Sequence, residues 1–317
     1  MVKTEQSRLR VFLDSDLVHS FKRSPLAITA TLATLACFAV ALLAPAISPH
    51  CIEPICLDLM NGLTPPAWTE YGDPAFPLGT DEQGRDILSA IFYASRVSLV
   101  VGFAAVGFGM VLGVALGIIA GYFGGWVDAV IMRLADMQLT FPSILVALLI
   151  AGVVRSIITD LAERGILTGI TFEDVAVFVL IVAIGLSDWP RFARVARGAT
   201  LVELNKGYVA AAKVLGLPAR RIMVRHVLPN LMGPILVIAT IGLALAIIAE
   251  ATLSFLGVGV PPTNPSLGTL IRIGNEYLFS GEWWITLFPA LGLVTLVLSV
   301  NIIGDWLRDA LNPKLRR

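Results

Sequence analysis

Charge is scarce in this sequence. Only 15% of its 317 residues are Asp, Glu, Lys or Arg, and 23 basic side chains are balanced by 23 acidic ones. No global field of either sign therefore points to nucleic acid as a partner. Histidine is scarcer still: His19, His50 and His226 are scattered, without a nucleophile–base or metal-ligand constellation around them. That removes the usual starting points for a hydrolase or a metalloenzyme. The cysteines are Cys37, Cys51 and Cys56. Cys37 lies in an apolar run, while Cys51 and Cys56 follow it in a loop, where their spacing admits either a local disulfide in an oxidising compartment or two free thiols. His50 is nearby, but no fourth ligand stands at a typical spacing, so no metal site is expected. Low-complexity segments and strong tandem repeats are absent.

What is abundant is apolar side chain. A hydrophobic share of 56% and a mean hydropathy of +0.83 exceed what a soluble domain of this size needs, and mark an integral membrane protein. The run Leu26 to Ile47 is long enough to cross a hydrocarbon core of roughly 30 Å. Ala44-Pro45-Ala46 raises the alternative of a cleaved signal peptide, but the apolar region is too long and its charged preface too extended, so a retained helix is expected after a tail over 1–25. Residues 48–95 read as an exposed acidic loop broken by Pro54, Pro65, Pro66, Pro74 and Pro77. Within it, Gly79 to Asp86 has the glycine spacing of a phosphate loop, yet arginine and aspartate replace the lysine and hydroxyl that such a loop needs, which excludes a nucleotide site. Asp86 is expected instead to start a short helix carrying Ile87, Leu88 and Ile91.

A core over 96–304 holds five further spans. The second, about Val97 to Gly121, carries Gly109, Gly113, Gly117 and Gly121 at every fourth position, a flat stripe for close helix packing whose partner is another span or a second subunit. The third, about Ala129 to Val154, contains Pro142 and should kink there; Asp136 near its start is either solvated or functional. The fourth has only 12 continuous apolar residues, Val175 to Leu186, and must run past Asp188 and Trp189 or lean on neighbours. The fifth, about Leu231 to Val258, has Glu250 as its one acid, facing either a structural partner or substrate. The last, about Trp283 to Ile303, begins with two tryptophans suited to a membrane interface and precedes a tail over 305–317. Six spans place both termini on one side. Eighteen of the 23 lysines and arginines fall on the side that holds both tails and the connection 191–230, which the positive-inside rule makes cytoplasmic.

The densest set of helix-punctuating residues is Glu203 to Asn230. Tyr208, Ala211, Ala212 and Leu215 share one face of a helix about two turns long, too short to be stable without packing. Gly216 suits a left-handed cap and Pro218 the start of a second helix, Ala219 to Leu228, that Pro229 would stop. Together these features describe a docking handle.

Tyr208 to Asn230 resembles the cytoplasmic EAA loop of ABC-importer permeases, especially the dipeptide/oligopeptide group. Leu78 to Asp86, Phe141-Pro142, Glu250 to Gly257 and Gly304 to Pro313 resemble the same group in the same order, covering much of 78–313. Ala210 stands where the motif has its first glutamate and His226 where isoleucine is usual, both as in the peptide subgroup; Leu267 replaces a frequent tryptophan. The resemblance implies an all-α polytopic protein of the bacterial inner membrane with type I importer architecture. It further implies a transport subunit, not an enzyme, paired with a second related permease, two cytoplasmic ATPases and an extracytoplasmic solute-binding protein. ATP and magnesium would sit on the ATPases, with no cofactor in this chain and lipid around it. Tyr208 to Leu215 would be the coupling helix, with Lys213 beside the contact face and Gly216 and Pro218 setting the corner. Dipeptides or oligopeptides lead as cargo, ahead of nickel chelates, glutathione and other small solutes. The rival from another class is a proton-coupled carrier using Asp136 and Glu250 as relays.

Overall fold

A computed structural model describes residues 21–50, 58–164 and 171–311. Cys51 and Cys56, and hence their pairing, lie outside the described residues. Among the described residues the main elements are helices: α1 (Pro25–Ile47), α2 (Ile87–Phe123), α3 (Gly125–Leu139), α4 (Ser143–Glu163), α5 (Phe172–Leu204), α6 (Gly207–Val214), α7 (Ala219–Ile222), α8 (Leu228–Phe255), α9 (Leu267–Tyr277) and α10 (Trp284–Leu311). Six helical rods among the described residues are long and apolar enough to cross a membrane: α1, α2, α4, α5, α10 and the rod from Ala219 to Phe255 that ends in α8.

The glycine stripe of α2 finds its partner inside this chain. A Cβ on Gly113 would lie 2.4 Å from the Trp189 carbonyl oxygen, one on Gly117 2.4 Å from that of Ala193, and one on Gly109 2.9 Å from that of Gly185. Gly121 meets the Thr200 side chain in the same way. Any larger residue would force α2 and α5 apart, so the stripe sets the close approach of these two helices.

Three boundaries differ from expectation. Around Pro142 the chain does not kink but stops and restarts. Proline lacks an N–H and disfavours helical geometry in the residue before it, so α3 ends at Leu139 and α4 begins at Ser143 with Pro142 in extended geometry. Only α4 is a spanning candidate; α3 lies against α5, joined by Asp128–Arg197 and Asp136–Arg194 ion pairs. Second, α5 takes the course past Asp188 and Trp189 and continues through the first part of the 191–230 connection to Leu204, where Arg194 and Arg197 pair with those two acids.

Third, the helix that Asp86 starts is 37 residues long. Asp86 caps it by accepting from the Ser89 N–H and hydroxyl, at 2.9 and 2.6 Å. Only the end of the loop before it departs from the exposed character expected: Thr80, Asp81, Arg85 and Asp86 are buried, while Met60, Trp68 and Tyr71 stand exposed. Arg85 bonds Asp81 at 2.6 Å and the Pro262 carbonyl at 3.0 Å, while the Trp284 indole donates to the Thr80 carbonyl at 3.1 Å. The phosphate-loop spacing thus serves a clasp that joins the starts of α2 and α10 to the loop between α8 and α9.

Candidate functional site

Glu203, in the last turn of α5, organises the turn into α6. It accepts from the Lys206 ammonium at 2.6 Å and from the Tyr208 hydroxyl. The same hydroxyl accepts from the Asn230 amide at 3.1 Å and faces the His226 carbonyl, which Asn230 also bonds at 2.7 Å. The ends of α5 and α8 are therefore laced together through Tyr208. Partial desolvation, then the Glu203 hydrogen bond and charge, push the Tyr208 phenol up to about 12, so it stays neutral at physiological pH.

The far end of α6 closes with a Schellman motif. The Gly216 N–H bonds the Lys213 carbonyl at 3.0 Å and the Leu217 N–H reaches back to that of Ala212 at 3.2 Å. Gly216 takes the φ of +72° that this motif requires. Pro218 then turns the chain in extended geometry into α7. Pro229 does not stop the second helix. A π-helical turn over Met223–Val227 widens the chain just before it, and Pro229, with no N–H to place, sits in the first turn of α8.

The faces of α6 also differ in part from expectation. Val209 and Ala212 pack into the main hydrophobic core, so Ala212 is turned toward its own protein and is not on the outward face. Outward stand Tyr208, Ala211, Val214 and Leu215, the last two 88% and 77% exposed. Periodicity grouped Ala212 with Ala211 because adjacent alanines in so short a helix fit either face; Val209 marks the buried side. Lys213 lies with its ammonium 5.6 Å from the centre of the Tyr122 ring, a cation–π contact back onto α2.

Glu250 is fully buried and accepts from the Ser98 hydroxyl at 2.8 Å and the Ser254 hydroxyl at 2.7 Å, with Ser98 also facing the Leu267 N–H. It joins α2, α8 and the start of α9. Asp136 is engaged by Arg194 at 2.6 Å. The two acids of a proton-relay reading are thus held by separate, local partners. Sequence reasoning passed over Glu203 and Asn230 as site residues, although both bounded the segment it singled out.

Residues 113–317 match the family described as binding-protein-dependent transport system inner membrane component. The chain belongs to this family. The permease is 38% identical over 299 residues to the dipeptide transport system permease protein DppC of Escherichia coli strain K12, covering 94% of this chain and 92% of that protein. It is 37% identical over 278 residues to the Haemophilus influenzae protein of the same name, covering 88% and 87%. A chain of the MetNI methionine ABC transporter in an inward-facing conformation superposes with a TM-score of 0.53 at 19% identity, over 71% of this chain and 98% of that one, a likeness of fold. The permease is a multi-pass membrane protein and a transport subunit of an ABC importer, a family whose members work with a partner permease, an ATPase and a binding protein.

Proposed function

We propose that this permease forms half of the translocation path of an importer for dipeptides or oligopeptides, and that α6 is its coupling helix. One observation carries the second statement: an eight-residue helix, anchored inward by Val209 and Ala212 and laced to α8 through Tyr208, presents Ala211, Val214 and Leu215 outward, uncovered among the described residues. So short a rod with an exposed apolar face is a fitting for a groove on another protein. The groove belongs to a cytoplasmic ATPase, one of two, which bind ATP and magnesium; this chain needs no cofactor. Movement of α6 passes through the Tyr208 lacing and the π-helical turn to α8, and through Glu203 to α5. The basic tally on the loop side supports a cytoplasmic placement of α6 and both termini.

The cargo reading is supported by the names of the relatives, which are dipeptide permeases over nearly the whole chain. Reconstitution with the cognate ATPases, a second permease and the solute-binding protein should give dipeptide uptake that depends strictly on ATP. Uptake driven by a proton gradient without the ATPases would overturn the importer reading. A binding protein that takes nickel complexes or glutathione and no peptide would overturn the cargo.

A further inference from the structure

Midway along α5, just past the end of its apolar run, the fold holds a charged pair that the coupling site does not use. Two adjoining cavities of about 340 and 90 Å³ share Ser143, Ile144, Ser187 and Arg191 as walls, and the smaller also reaches Asp188. The larger falls within the roughly 300–1,000 Å³ of small-molecule sites. They lie between the start of α4 and the middle of α5, with Leu245 and Ile248 of α8 on the far wall.

Asp188 and Arg191 are unequal partners. The Asp188 side chain is 12% exposed and that of Arg191 40%, and their charged atoms stand 3.3 Å apart. The helix around the acid is tied to α3: Gln138 bonds the Leu186 carbonyl before it and accepts from the Trp189 indole, at 2.8 Å, after it. The base is a long arm reaching from the next turn. Arg194 and Arg197 of the same helix are held by Asp136 and Asp128 of α3, whereas the acid facing Arg191 is on its own helix. A carboxylate within a spanning helix is costly unless it faces protein or water, and here it faces a cavity with serine hydroxyls.

We propose that Asp188 is a transit site for the N-terminal ammonium group of a peptide in the path, and Arg191 the resident counter-ion that the ammonium displaces. This rests on the peptide-importer reading above. Charge stays balanced throughout: the empty site holds one carboxylate and one guanidinium, and a zwitterionic peptide adds one group of each sign. The displaced guanidinium remains in the cavity, where the peptide carboxylate can take it. A singly charged, monodentate contact of this kind lets cargo enter and leave, as a path requires.

The test uses the whole importer in proteoliposomes, with Asp188→Asn, Arg191→Gln and the double variant. Asp188→Asn should lower the maximal rate of ATP-driven dipeptide uptake about tenfold or more, with peptide affinity of the separate binding protein unchanged. Arg191→Gln should lower uptake by less than Asp188→Asn does, and the double variant should be as slow as Asp188→Asn. A merely structural ion pair gives another pattern, with both single variants impaired alike and the double recovered, and that pattern or full activity of Asp188→Asn overturns the proposal. Should Asp188→Asn fail to assemble, Ser143→Cys carries the test. In the Arg191→Gln background, where Asp188 is the remaining charge of the pair, it should react faster with a cationic than an anionic water-soluble thiol reagent, and more slowly in both cases during dipeptide turnover. An unreactive cysteine, or one without preference for the cation, overturns the site. If the unsubstituted importer moves no dipeptide, the peptide-cargo reading fails separately, while the cation preference still reports on Asp188.

Discussion

Gln138 donates from its side-chain amide to the main-chain carbonyl of Leu186, the group that Pro190 leaves unpaired within α5. A proline four residues on has no N–H for that carbonyl, and a side chain from α3 supplies one in its place. The other end of the same amide accepts the Trp189 indole N–H at 2.8 Å. One glutamine therefore repairs a break in a spanning helix and binds α3 to it.

Gln138→Leu leaves both groups unpaired and should destabilise the assembled permease by about 1–3 kcal/mol, read as a lowered thermal midpoint in detergent. Adding Pro190→Ala restores a main-chain N–H for the Leu186 carbonyl and should recover part of the loss. A double variant no more stable than Gln138→Leu would contradict the repair.

Gly113→Leu places a side chain where even a Cβ comes within 2.4 Å of the Trp189 carbonyl oxygen. It should abolish recovery of folded permease from membranes, and Gly117→Leu should do the same against Ala193. Gly107 is the control: nothing lies within 4 Å of its added Cβ, so Gly107→Ala should be recovered at the normal level.

Tyr208 gives the coupling region a pH signature. Its phenol is pushed up to about 12 by desolvation and by Glu203, so the fold favours the protonated form. The sign follows from linkage: the contribution is fully present below the ordinary tyrosine value of about 10 and is lost as pH rises through about 12. The stability difference between the unsubstituted permease and Tyr208→Phe should stay flat from neutrality to about pH 10 and then shrink. A difference that vanishes near neutrality would contradict the lacing.

Glu250→Ala removes the acceptor shared by Ser98 and Ser254 and opens a cavity where α2, α8 and α9 meet. The loss should be about 2–4 kcal/mol, while Glu250→Gln, which keeps an acceptor and the volume, should cost less than half of that. A proton gradient should drive no uptake in any of these proteins. Gradient-driven uptake abolished by Glu250→Gln would revive the relay role.

Much of the architecture is legible as hydropathy, because a lipid-facing helix must be apolar over its whole length. The first and last spans are legible for that reason. The fourth is obscured by Asp188, Trp189 and Pro190, since the groups that satisfy them, Arg191 and Gln138, come from the next turn and from α3. The glycine stripe shows in its four-residue period, yet its partner does not, because the facing positions Gly185, Trp189 and Ala193 of α5 repeat at the same spacing but share no residue size. At Pro142 the residue type signals an interruption, and whether that means kink or break depends on α3 packing against α5. At the docking segment, Gly216 and Pro218 show the corner plainly. The buried side of α6 is hidden, because Ala210, Ala211 and Ala212 are locally equivalent and only the core beneath Val209 distinguishes them.

The coupling role of α6 is tested most directly at Ala211, which stands outward and touches none of the core. Ala211→Arg should leave the permease folded and spanning, with Val209 and Ala212 still packed. In the reconstituted importer it should reduce capture of the ATPases about tenfold or more and uncouple residual ATP hydrolysis from peptide uptake. Normal ATPase capture together with normal ATP-driven uptake by Ala211→Arg would contradict the assignment of α6 as the coupling helix.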